Sequence, residues 1–94
     1  MKNGNYSEFL DYLYLGEELV FEYNNTRFLL QGWTVNDVRF MELQDISSPA
    51  DNSVPIWSIS SPSMRECADS FLKAPLWDGK PFEDIHAAIT WIDC

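Results

Sequence analysis

Ninety-four residues leave room for one small domain, and 46% hydrophobic content with six Phe, four Tyr and four Trp is enough to build its core without disulfide staples. Fifteen acids against six bases give a net charge of -9, a sign that repels phosphates and argues against direct DNA or RNA binding. No apolar run approaches the ~20 residues of a membrane span, the opening MKNGNYSEF lacks the basic-then-apolar order of a signal peptide, and Cys67 with Cys94 makes no disulfide framework, so the expected setting is the cytosol.

In chain order, Ser7 is placed to cap a short helix over about residues 7–15, with Phe9, Leu10 and Leu13 on one face and Gly16 as its C-terminal glycine. EELVFEY and TRFLLQGW then alternate around Asn24-Asn25, a pair that tolerates the positive φ of a tight hairpin. A two-residue loop pairs Phe21 with Phe28 and Glu22 with Arg27, which puts Leu19, Phe21, Phe28 and Leu30 on one face and opposite charges across from each other on the other. Val35-Asn36-Asp37 reads as a second turn and Val38 to Leu43 as a third strand, in which adjacent Phe40 and Met41 mean either that both faces are partly covered or that a bulge shifts the phase. The polar stretch Asp45 to Ser53 is the one long loop expected, and Val54 to Ser60 a fourth strand whose Pro55 suits an edge or a strand start.

Beyond it the period changes to about 3.6: Met64, Cys67, Ala68, Phe71 and Leu72 make an apolar helical stripe, started either by Ser61-Pro62 or by a Ser63–Glu66 capping box and ended by Pro75. Asp78-Gly79 reads as a turn, and Pro81 opens a last helix with Phe82, Ile85, Ile89 and Ile92 as its stripe. The expected fold is therefore α+β, a single domain over residues 1–94 in the order αββββαα, with helices packed on one face of a four-stranded antiparallel sheet.

FL-x-APLWDGK-x-F from Phe71 to Phe82 and the terminal I-x-W-I-D from Ile89 to Asp93 resemble a group of small acidic proteins of Firmicutes and their mobile elements. FLDYLYLGEE, FEY, QGW and Met64-x-Glu66-Cys67 extend the resemblance over most of the chain, while Pro81 and Glu83 depart from it. The resemblance implies a bacterial cytosolic or phage setting and no catalytic residue.

The chemistry of the side chains points the same way. His86, the single histidine, has no serine or cysteine placed by a motif as its nucleophile, and Cys67 sits on an apolar stripe as a core residue. Terminal Cys94 is expected to be mobile, and the two cysteines and His86 lack zinc-site spacing. Asp45 to Asp51 lacks the ligand pattern of a calcium loop, single glycines at 4, 16, 32 and 79 make no phosphate loop, and Glu17-Glu18 and Glu83-Asp84 are solvated charge. No catalytic, cofactor or metal site is expected.

The excess charge is largest toward the ends: -4 over residues 1–23, -2 over 24–75 and -3 over 76–94. Such a surface attracts a basic protein. The expected function is a non-enzymatic interaction module, in its sharper form an anti-CRISPR-like inhibitor that occupies a basic nucleic-acid-binding surface of a host complex. Its candidate contact residues are Glu18, Val20, Glu22 and Leu29 on the open sheet face, Trp33 and Trp91 as aromatic anchors, and Asp84 and Asp93 of the terminal helix. The alternative is a small ligand-binding or enzymatic domain with a pocket between sheet and helices. Oligomeric state is left open.

Overall fold

The first helix, α1 (Tyr6–Leu15), begins where the Asn5 side chain accepts a hydrogen bond from the Glu8 N–H at 2.8 Å. Asn5 thus replaces Ser7 as the cap, and Gly16 closes the helix at φ 77, the left-handed conformation that glycine adopts without strain. The structure is a computed structural model that describes residues 1–47 and 55–93. From residue 48 the expected loop lies outside the described residues, as do the expected strand start at Val54 and Cys94.

Strands β1 (Leu19–Tyr23) and β2 (Thr26–Val35) form the hairpin in the expected register, Phe21 opposite Phe28 and Glu22 opposite Arg27, with Asn24 and Asn25 at φ 51 and 63. A second two-residue turn, Asn36 and Asp37 at φ 52 and 66, leads into β3 (Val38–Asp45). Pairing between β2 and β3 is unbroken from Val35–Val38 to Phe28–Asp45, so Phe40 and Met41 project to opposite faces without a bulge. Edge strand β4 (Trp57–Ser61) pairs with β3, and Pro55 lies just before it, where a missing N–H costs no ladder bond.

Helix α2 (Met64–Lys73) starts after Ser63, which makes no side-chain cap bond; instead the Ser61 hydroxyl bonds the Glu66 carboxylate. Pro75 follows its Ala74 cap, and Trp77 pairs with Lys80 around the Asp78-Gly79 turn.

The end of the chain corrects the expected order. Helix α3 covers only Phe82–Ile85, a 3-10 turn follows over His86–Ala88, and Thr90–Asp93 is a fifth strand, β5, antiparallel to β1. The sheet is therefore five-stranded in the order β4-β3-β2-β1-β5, rather than four-stranded, and Ile92 faces outward instead of completing a helical stripe. The physical reason is that β1 has an open edge beside it, and a strand there puts Trp91 opposite Phe21, where its ring is buried. The N-terminal segment lies along β5: Lys2 N–H donates to Ile89 O at 2.8 Å and Trp91 N–H to Lys2 O at 2.9 Å.

All three helices cover one sheet face. Phe82 is the centre of the core, with Phe71, Phe9 and Phe21 at ring distances of 5.0, 5.3 and 5.5 Å. Each of these four rings is fully buried, so the described core is closely packed around Phe82. The Cα radius of gyration, 12.5 Å, is that of one compact domain of this length.

Candidate interaction surface

The opposite face of the sheet carries no helix. Because side chains alternate along each strand, the ladders arrange this face in rows: Val35 beside Val38, then Trp33–Phe40–Ser60, then Gln31–Glu42–Ser58, then Leu29–Gln44. Val20 and Glu22 of β1 extend it beside Leu29 and Arg27. At the β2–β3 end the face is apolar and wet: Trp33, Val35 and Val38 are 39%, 49% and 38% exposed. The Trp33 ring stacks on Phe40 with centroids 5.5 Å apart and planes 11° from parallel.

Beside this aromatic wall, the β4 side chains that point to the open face are the short Ser58 and Ser60. Short side chains next to long ones leave a groove of about 360 Å³, lined by Trp33, Phe40, Glu42, Ser58, Ile59 and Ser60. Its one charge is the Glu42 carboxylate, whose Oε1 accepts from Gln31 Nε2 at 3.0 Å and from Gln44 Nε2 at 2.7 Å. Two amides converging on one oxygen hold that carboxylate in place.

The candidate residues divide among three places. Val20, Glu22, Leu29 and Trp33 share the open face, Val20 and Leu29 half-buried. Glu18 is exposed and precedes β1. Glu22 is bonded to Arg27, 3.5 Å between charged atoms, so the acid rim expected around Val20 and Leu29 is partly neutralised within the chain. Trp91 is a correction: only 7% exposed, it packs edge-on against Phe9 at 5.5 Å and presents no surface anchor. Asp84 is exposed on α3 and belongs to the helical layer, and Asp93 pairs with Val20 through the β1–β5 backbone ladder.

Much of the negative charge lies away from the open face. Glu8 and Asp11 on α1, Glu66 and Asp69 on α2, and Glu83 and Asp84 on α3 stand in the helical layer against Arg65 and Lys73. Sequence reasoning missed Phe40, Glu42, Ser58 and Ser60. The adjacent Phe40-Met41 pair was their signal, since without a bulge it puts a large apolar side chain on each face of β3, with Phe40 half-buried beside Trp33 on the open one.

His86 stacks flat on Tyr6, centroids 3.9 Å apart and planes 4° from parallel. Cys67 is fully buried with its thiol 3.6 Å from Arg39 O, and burial, reinforced by Glu66, pushes its pKa up. The FLKAPLWDGKPF segment packs into the core, with Phe71, Leu72, Trp77 and Phe82 all buried. Among the described residues no cluster of three or more His, Cys, Asp or Glu is placed to hold a metal, and no helix is long and apolar enough to cross a membrane. In comparisons with known proteins no family model, no curated protein and no solved structure matches the chain.

Proposed function

We propose that the protein is a non-enzymatic interaction module of bacterial or mobile-element origin, working in the cytoplasm, that presents its open sheet face to a basic protein partner. The observation that carries this is the uncovered apolar end of that face, where Trp33 is stacked on Phe40 and continues into Val35 and Val38. Exposed aromatic residues in a contiguous patch are the usual anchors of protein interfaces. The net charge of -9 attracts a basic partner to the molecule, and Glu42 and Glu18 supply the charge on and beside this face. In its sharper form the partner is a component of a nucleic-acid-handling complex, and the module inhibits it by occupying the surface that binds phosphates.

The test is affinity capture from bacterial lysate at low and high salt, run in parallel with wild type and a Trp33→Ala, Val35→Ser variant. The expected result is a basic protein retained at low salt, released at high salt and lost with the variant. Identical capture by both proteins, or none by either, overturns the reading.

A further inference from the structure

We infer that the groove between β3 and β4 is a receptor for one guanidinium group, an arginine side chain of the protein partner. The inference rests on the reading of the open face as a docking surface and adds the chemistry of its anchor. Three features converge. Trp33 and Phe40, stacked on each other, both line the groove, and aromatic faces attract cations and stack on the planar guanidinium in particular. One row along on the same sheet face, a backbone spacing of about 7 Å, is Glu42, whose carboxylate lines the same groove. Both of its hydrogen bonds land on Oε1, which leaves Oε2 for a ligand.

Glu42 is also a charge without an internal partner. Among the described residues no cation lies within ion-pair distance of it. Arg27 is spent on Glu22, and Arg39, which shares the core-side register of Met41, donates to Asp37 O at 2.9 Å. A carboxylate held by two amides beside an exposed indole, in a groove with serine hydroxyls on its far wall, matches a group that is planar, cationic and rich in N–H donors. An ammonium would satisfy the charge but could not stack on an aromatic face while donating in its own plane to Oε2 and the serine hydroxyls, so arginine is the ligand and lysine the poorer substitute.

The test is an NMR titration of the 15N-labelled protein with acetyl-Gly-Arg-Gly-amide and with its citrulline counterpart, which has the same shape and no charge. The arginine peptide should give saturable shifts at the Trp33 indole N–H and at the amides of Phe40, Glu42, Ser58 and Ser60. The citrulline peptide should bind about tenfold more weakly or worse, the loss expected when a charge-assisted bond is removed. Glu42→Gln should abolish saturation by the arginine peptide while the dispersed spectrum is retained. Equal binding of the two peptides, undiminished binding to Glu42→Gln, or shifts confined to the acidic helical layer would overturn the assignment. Should the Trp33→Ala, Val35→Ser variant still lose capture of the lysate partner in that case, the docking surface stands and only its guanidinium anchor falls.

Discussion

Gly32 shows how closely the sheet and its helices approach at one residue. A Cβ there would lie 2.9 Å from Met64 Cε and 3.2 Å from Gly16 Cα, and the Gly32 N–H already donates to Gly16 O at 3.3 Å. Gly32→Ala should therefore cost about 1–3 kcal/mol in urea unfolding, the range for overpacking. Met64→Ala in the same chain should relieve only part of it, because a methionine tip yields and the Gly16 backbone does not. An unchanged unfolding midpoint would mean the two backbones are further apart. Cys67 makes a second prediction at this scale. In a Cys94→Ser chain its reaction with a disulfide reagent at neutral pH should proceed only as fast as the protein opens, since burial suppresses both access and the thiolate. Fast stoichiometric labelling of the native state would contradict the core placement.

Among the elements, the β1–β2 hairpin is the one most completely set by local sequence. Both turn residues have positive φ, so Asn25→Val should cost about 1–2 kcal/mol through left-handed strain, whereas Asn25→Gly should hold or raise stability. Phe28 is nearly buried, stacked on Phe21 at 5.6 Å and edge-on to Trp77 at 5.1 Å, so Phe28→Ala should lose about 3–5 kcal/mol. A loss below about 1 kcal/mol in equilibrium unfolding would invert the face assignment. The terminal segment behaves oppositely. Ile85, Ile89 and Ile92 fit a helical period, but Ile89 and Trp91 also fit a strand, and over so few residues the two periods cannot be told apart. The helix stops at Ile85, where φ -113 and ψ 2 leave the helical region before the 3-10 turn.

At the scale of the whole molecule, charge and proton binding decide the response to solvent. Tyr14 donates to Asp69 at 2.8 Å and that bond raises its pKa, burial and then Glu83 raise that of Tyr6, and burial raises that of Cys67. In each case the folded chain holds the proton more tightly than the unfolded chain. Their stabilisation is complete below the ordinary values of 9.0 and 10.0 and is lost as pH rises through the folded values. Thermal melts should therefore be flat through neutral pH and fall in the alkaline range, with a shallower fall for Tyr14→Phe. A stability that rises with alkaline pH would refute this linkage. The excess of acids also predicts that added sodium chloride raises the melting temperature by screening self-repulsion.

Alternation and turn chemistry act between neighbours in the chain, so the amino-acid sequence alone determined the hairpin register, the face that Phe21 and Phe28 bury, the apolar stripe of α2, the single domain and the sign of the charge. Of the expected helix starts, Ser63 holds for α2, while Ser7 and the Ser61-Pro62 alternative lay within two residues of the true ends, where local preferences nearly balance. Only the tertiary structure decided that the chain returns as β5 and buries Trp91, because an open strand edge recruits whichever segment reaches it. It alone assembled the groove as well. Trp33, Phe40 and Ser60 sit in one row although they come from three strands, and a row is set by which strands lie side by side, information that no single strand carries. Glu42 reads in the sequence as one acid among fifteen; its position between two glutamine amides and an exposed indole exists only once β2, β3 and β4 are paired.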